Sequence, residues 1–179
     1  MRLLTLAVCV PLALAHLASH AQGVILRDQD VSESKLIEAL TPERSVRTRS
    51  IRVSPSTDQA SPVKKAAAAS MLITFETNSA ELKPEARKML DSLGKAMTSD
   101  KLSNFRFAIE GHADPRGGEQ FNLELSQRRA ESVVSYLTEN HHIDASRLQP
   151  IGKGQSELFN RSQIDAPENR RVTVKTLVQ

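Results

Sequence analysis

The sequence predicts an α+β domain of β-α-β-α-β-β order, with two helices packed on one face of a mixed four-stranded sheet and a flexible N-terminal arm ahead of it. Three observations carry this. Apolar residues alternate with period two in "NFRFAIEGH" and "RRVTVKTLV", as a half-buried strand requires. They recur at helical spacing behind Pro84 and again behind the turn "DPRGG". Residues 22–70, by contrast, hold too few large apolar groups to offset the entropy of ordering them.

From the N-terminus, "MRLLTLAVCVPLALAHLASHAQG" has a basic residue, an apolar core and a small-x-small site at Ser19-His20-Ala21. This is the pattern of a secretory signal over residues 1–21, cleaved after Ala21. The apolar run is too short to span a bilayer, and Pro11 and His16 interrupt it. Cys9 is the only cysteine, so the processed chain is expected to be free of disulfides and thiol chemistry in an oxidising, exported compartment. Residues 22–70 read as arm and linker. "SESKLIEALTP" offers a short helix that stops at Thr41-Pro42, "RSVRTRSIRV" an extended segment, and "SPSTDQASPVKKAAAAS" a linker.

The domain is expected over residues 71–179. "MLITF" is a buried-strand candidate. Pro84 suits a first helical turn, followed by the stripe Ala86, Leu90, Leu93 and Met97. The next strand points Phe105, Phe107 and Ile109 inward. A long helix follows with Leu123, Ala130, Val133, Val134 and Leu137 toward the core. "RLQPIGKG" gives a third strand, and the last places Val172 and Val174 on one face.

The chemistry concentrates in "GHADPRGGEQFNLELSQRRAESVVSYL". Asp114 falls in the turn behind a strand, where binding groups gather. Asn122 and Arg129 lie about two helical turns apart and share a meridian, while Arg128 points about 100° away. A carboxylate facing a guanidinium suits a zwitterionic amino-acid group: Asp114 takes the ammonium, and the planar fork of Arg129 clamps the carboxylate. The same residues also allow a plain reading, in which Asp114 caps its turn and Arg129 is solvated.

The stretch resembles the signature of the OmpA-like C-terminal domain family, which binds peptidoglycan. Asp114 is followed at the family's intervals by Leu125-Ser126, Arg129-Ala130, Val133 and Leu137, with "ITFETNSAEL" near the start and "NRRVTV" near the end. The resemblance implies that Asp114 and Arg129 hold the diaminopimelate of the peptide stem, that Asn122 supports them, and that Arg170 contributes from the Asn-Arg-Arg segment. Ala113 stands where the family usually has threonine, which removes a hydroxyl next to the ligand. The resemblance implies no cofactor and no enzymatic activity.

Other function classes find less support. Loss of Arg2 lowers the formal charge from +3 to +2, that excess lies in residues 22–70 while residues 71–179 are balanced, and one Tyr without any Trp gives no stacking platform for nucleic acid. Glu110, His112 and Asp114 alternate as metal ligands would on an extended strand, but the Asp-Pro turn ends that strand first, so no metal is expected. The basic run Arg44, Arg47, Arg49 and Arg52 could dock an outer-membrane protein or anionic lipid, leaving the domain to hold the wall.

Overall fold

In the computed structural model, residues 25–27, 30–42, 67–76 and 78–178 are described. The strands are β1 (Ile25–Leu26), β2 (Ala68–Met71), β3 (Arg106–His112), β4 (Leu148–Gly154) and β5 (Val172–Leu177). The helices are α1 (Glu33–Leu40), α2 (Pro84–Thr98) and α3 (Glu119–His141). One mixed sheet runs β1-β2-β5-β3-β4. Its outer pairs, β1 with β2 and β3 with β4, are parallel, and β5 pairs antiparallel with both β2 and β3. The register sets Ile109 opposite Val174, and Val172 opposite both Met71 and Gly111, so one sheet face is a continuous apolar surface. Leu90 and Leu93 of α2 and Val133 and Leu137 of α3 close over that face, fully buried. Pro84 stands at the start of α2, where its missing N–H leaves no bond unmade.

The architecture is the expected α+β one, enlarged to three helices and five strands. The additions come from the region expected to be a flexible arm. Leu36 and Leu40 of α1 are both 0% exposed and join the main core. Ser32 caps α1 by accepting from the Lys35 N–H, and Thr176 of β5 donates its hydroxyl to the Leu40 carbonyl at 2.6 Å. β1 extends the sheet beyond β2. Two leucines and a short strand suffice because the domain already presents a surface that they complete. The signal segment, the run Arg44 to Arg52 and most of the linker lie outside the described residues. Among the described residues, no helix is long and apolar enough to cross a membrane.

Three local expectations shift. The strand expected at 71–75 instead ends at Met71, because its partner β5 begins at Val172, opposite that residue. The Leu72 N–H still donates to the Leu26 carbonyl of β1 at 3.1 Å, after which the segment leaves the sheet and an isolated bridge joins Phe75 to Leu82. Phe105 lies just ahead of β3 and is half-buried against the core. On α3, Leu123 is 43% exposed and Val134 half-buried, whereas Asn122, Leu125 and Ser126 are buried.

That last shift follows from how closely α3 approaches the sheet. A Cβ on Gly111 would stand 2.2 Å from the Ser126 carbonyl oxygen, and one on Gly152 would stand 2.8 Å from backbone atoms of α3. The two glycines let the helix backbone sit on β3 and β4. The contact holds through Ser126, whose hydroxyl donates to the Leu123 carbonyl (2.8 Å) and accepts from the Gly154 N–H (2.9 Å). The fit fixes the height and rotation of α3 over the end of β3, and with them the positions of Asn122 and Arg129.

Candidate ligand pocket

At the end of β3 the chain stays pinned. The His112 N–H donates to the Arg171 carbonyl at 2.9 Å and the Ala113 N–H to the Gly154 carbonyl at 2.8 Å. Asp114 is the next residue, and its carboxylate opens into a pocket of about 570 Å³. Asp114, Asn122, Arg129 and Arg170 all line this pocket. Its opposite wall is the segment that left the sheet, with Phe75, Glu76 and Asn78, the last at a positive φ of 52°.

The amide nitrogen of Asn122 donates to the Asp114 carbonyl (3.0 Å) and to Gln155 Oε1 (2.8 Å), so it ties α3 to the turn that carries the carboxylate. Arg129 is half-buried with its guanidinium over the Phe75 ring, 4.8 Å from the centroid, and its Nε donates to the Ser79 carbonyl at 3.0 Å. Burial, then the neighbouring Arg170, disfavour its charge, and Asp114 only partly offsets them. Among the described residues, no carboxylate lies within ion-pair distance of Arg129. Arg128 is exposed and lines a separate groove with Arg87 and Tyr136, as the helical spacing requires.

Asp114 is 5% exposed but well partnered. Its Oδ2 accepts from Arg170 NH1 at 2.7 Å and from Arg116 NH2 at 2.8 Å. Its Oδ1 accepts from Arg116 Nε at 3.2 Å and from the Arg116 backbone N–H at 3.1 Å. Burial pushes its pKa up, but the bonds from Arg116 and Arg170 outweigh that and hold it at about 2. Arg171 points away, donating to the Glu157 carbonyl and lying over Phe159, so the alternation of neighbouring side chains holds at the Arg-Arg pair. Sequence reasoning did not assign Arg116, Lys83 or Phe75 to the site. The readable signal for Arg116 was its place two residues behind Asp114, within reach of the carboxylate.

Glu110 and His112 face away from this pocket and meet Glu157 there. They are therefore not in line with Asp114. Lys153 lies between the two carboxylates, 2.9 Å from Glu157 and 3.6 Å from Glu110, and Lys175 is 2.6 Å from Glu110. His112 is 2% exposed, and among the described residues neither ring nitrogen has a hydrogen-bond partner. Burial, then the charge of Arg171, lower its pKa to about 3; Glu157 opposes, and Lys175 and Lys153 add to the lowering. His112 thus stays neutral in the fold but takes up a proton on unfolding below about pH 6.5. Its contribution is fully present above that pH and is lost as pH falls toward 3. At pH 5 the loss relative to pH 7 is about 2 kcal/mol. Urea unfolding at the two pH values checks this, and His112→Gln should flatten the difference.

The OmpA family matches residues 74–171, more than half of the chain. The peptidoglycan-associated lipoprotein of Pseudomonas aeruginosa is 35% identical over 103 residues, covering 56% of this chain and 59% of that protein. The outer-membrane lipoprotein YfiB of the same organism is 33% identical, covering 57% and 60%. The chain thus spans about three-fifths of these two relatives. The cell wall anchor of the type VI secretion system from P. aeruginosa shares the fold, with a TM-score of 0.52 at 24% identity over 64% of this chain and 82% of that one.

Proposed function

Because the chain belongs to the OmpA family, we propose that it is a non-enzymatic protein of the cell envelope that binds peptidoglycan non-covalently through the diaminopimelate of the peptide stem. The relative named as a peptidoglycan-associated lipoprotein supports the polymer, and the pocket's charges support the ligand group. One observation carries the reading furthest. Arg129 presents a guanidinium on the floor of a pocket that also holds the ionised Asp114, and it lacks a protein carboxylate of its own among the described residues. A cation held partly out of water without a counter-ion favours an anionic ligand. An amino-acid centre brings the carboxylate for Arg129 together with an ammonium for Asp114.

In this reading Asn122 keeps the Asp114 turn on α3, and Arg170 holds the carboxylate in place. The apolar face of Phe75 orients the Arg129 fork and sheds water from its stem. The protein acts in the periplasm, on the wall beneath the outer membrane. Its run Arg44, Arg47, Arg49 and Arg52 docks an outer-membrane protein or anionic lipid, an assignment supported by the clustering of positive charge.

The test is co-sedimentation of the full processed chain with purified sacculi, with and without free meso-diaminopimelate. The chain is expected in the pellet and is expected to return to the supernatant as diaminopimelate is added. Retention that diaminopimelate leaves unchanged would overturn the assignment of ligand; absence of retention would overturn the function.

A further inference from the structure

Asp114 has no vacant place for a ligand ammonium. An ionised carboxylate offers about four acceptor positions. Here four donors use them: Arg170 NH1 and Arg116 NH2 on Oδ2, and Arg116 Nε and backbone N–H on Oδ1. We infer that the Arg116 side chain occupies the cation seat on Asp114, so that a ligand enters by exchanging its own ammonium for this guanidinium. The inference rests on the function proposed above and adds to it the residue that decides which ligands can enter.

The two arginines on Asp114 are not equally replaceable. Arg170 NH1 also donates to the Asp165 carbonyl at 3.1 Å, which holds that side chain in place. Among the described residues the Arg116 guanidinium makes its hydrogen bonds to Asp114 alone, and its side chain is 63% exposed. Water can solvate it as soon as it swings out, so its departure carries little desolvation cost. The turn survives that departure, because the Arg116 backbone N–H still donates to Oδ1 and Asn122 still holds the Asp114 carbonyl. Gly117 (φ 131°) and Gly118 follow directly, and open space stands where a Cβ of Gly118 would be.

Specificity follows from the exchange. A lone amine must displace Arg116 for this one contact and finds no second partner, so it enters weakly. An amine that arrives with a carboxylate also satisfies Arg129, and that second pair drives the exchange. Arg116 therefore makes the pocket read both charges of the ligand together. It screens out polyamines and the ammonium of free lysine side chains, which offer only one.

Calorimetry on the full processed chain separates the outcomes, with meso-diaminopimelate and its carboxylate-free analogue 1,5-diaminopentane as probes. Arg116→Ala is expected to bind diaminopimelate about threefold to fivefold more tightly than the wild type, the range of an exposed ion pair removed from competition. It should also gain measurable affinity for the diamine, so that discrimination between the probes falls. Arg116→Lys keeps a competing cation and should stay close to the wild type. Equal or weaker binding of diaminopimelate by Arg116→Ala, with the wild type binding, overturns the exchange and leaves the proposed function standing. If the wild type binds neither probe nor sacculi, both fall. Carboxyl NMR gives a readout without ligand: the Asp114 titration should move up in Arg116→Ala, and an unmoved titration would show that the pair does not form in solution.

Discussion

Arg129→Ala is expected to lose retention on sacculi by about a hundredfold, and Asp114→Ala by a similar factor, with both variants folded. Under the proposed function each removes one side of a charge-paired contact in a partly desolvated pocket, a change that typically costs a few kcal/mol because the ligand's opposite charge is left behind. Neither should unfold the domain. Among the described residues the Arg129 side chain gives the fold one hydrogen bond, to the Ser79 carbonyl, and the Asp114 turn keeps its backbone bond through Asn122. Arg128→Ala is the internal control. Its side chain lines a different groove, so binding should stay near the wild-type level. Co-sedimentation with sacculi and circular dichroism on the same preparations check the set. Equal losses in Arg128→Ala and Arg129→Ala would point to a general effect of positive charge on the wall and would remove the pocket from the explanation. With its pKa at about 2, Asp114 remains ionised down to about pH 4, so acidification from 7 to 4 should not weaken retention through this group.

Leu36→Ala and Leu40→Ala are each expected to destabilise the protein by about 2–5 kcal/mol, the usual cost of truncating a fully buried leucine and leaving a cavity. Both side chains are fully buried in the main core, well upstream of the family match that begins at residue 74. Domains of this size are stable by about 5–15 kcal/mol, so the double variant should be largely unfolded at room temperature. Urea unfolding of the full chain, read by circular dichroism, measures each change. Costs below about 0.5 kcal/mol would mean that α1 does not hold the core in solution. A chain truncated to begin at Met71 is expected to be destabilised for the same reason. Such a chain lacks β1, α1 and residues 68–70 of β2 and exposes the apolar surface that they cover, so its loss of stability would mask any effect of removing the basic run.

Much of this molecule is legible in the sequence because short-range physics dictates it. Pro84 and the stripe from Ala86 to Met97 suffice to place α2, and the alternation of Val172 and Val174 to place β5, since periods of 3.6 and 2.0 are properties of the backbone. The sharing of a meridian by Asn122 and Arg129, with Arg128 turned away, is equally local. So is the turn that carries Asp114, made by Asp-Pro and Gly-Gly.

The rest depends on partners distant in the chain. "MLITF" reads as a strand by composition, yet it stays one only to Met71, because the backbone donors and acceptors beyond find no β5 opposite them. The residues past Met71 become a pocket wall instead. Leu123 outranks Asn122 and Ser126 on any hydrophobicity scale, yet the polar pair is buried. Gly111 and Gly152 bring the backbone of α3 against the sheet, and Asp114, Gln155 and Gly154 satisfy the two side chains. Leu36 and Leu40 are too few to form a core alone, and they are ordered because α2 and the sheet already present one. The sequence by itself determined the helices, the central strands and the opposed charges of the site. Tertiary structure decided that the arm completes the core and that Arg116 and Arg170 share Asp114, because burial and ion pairing depend on which distant groups the closed fold brings within reach.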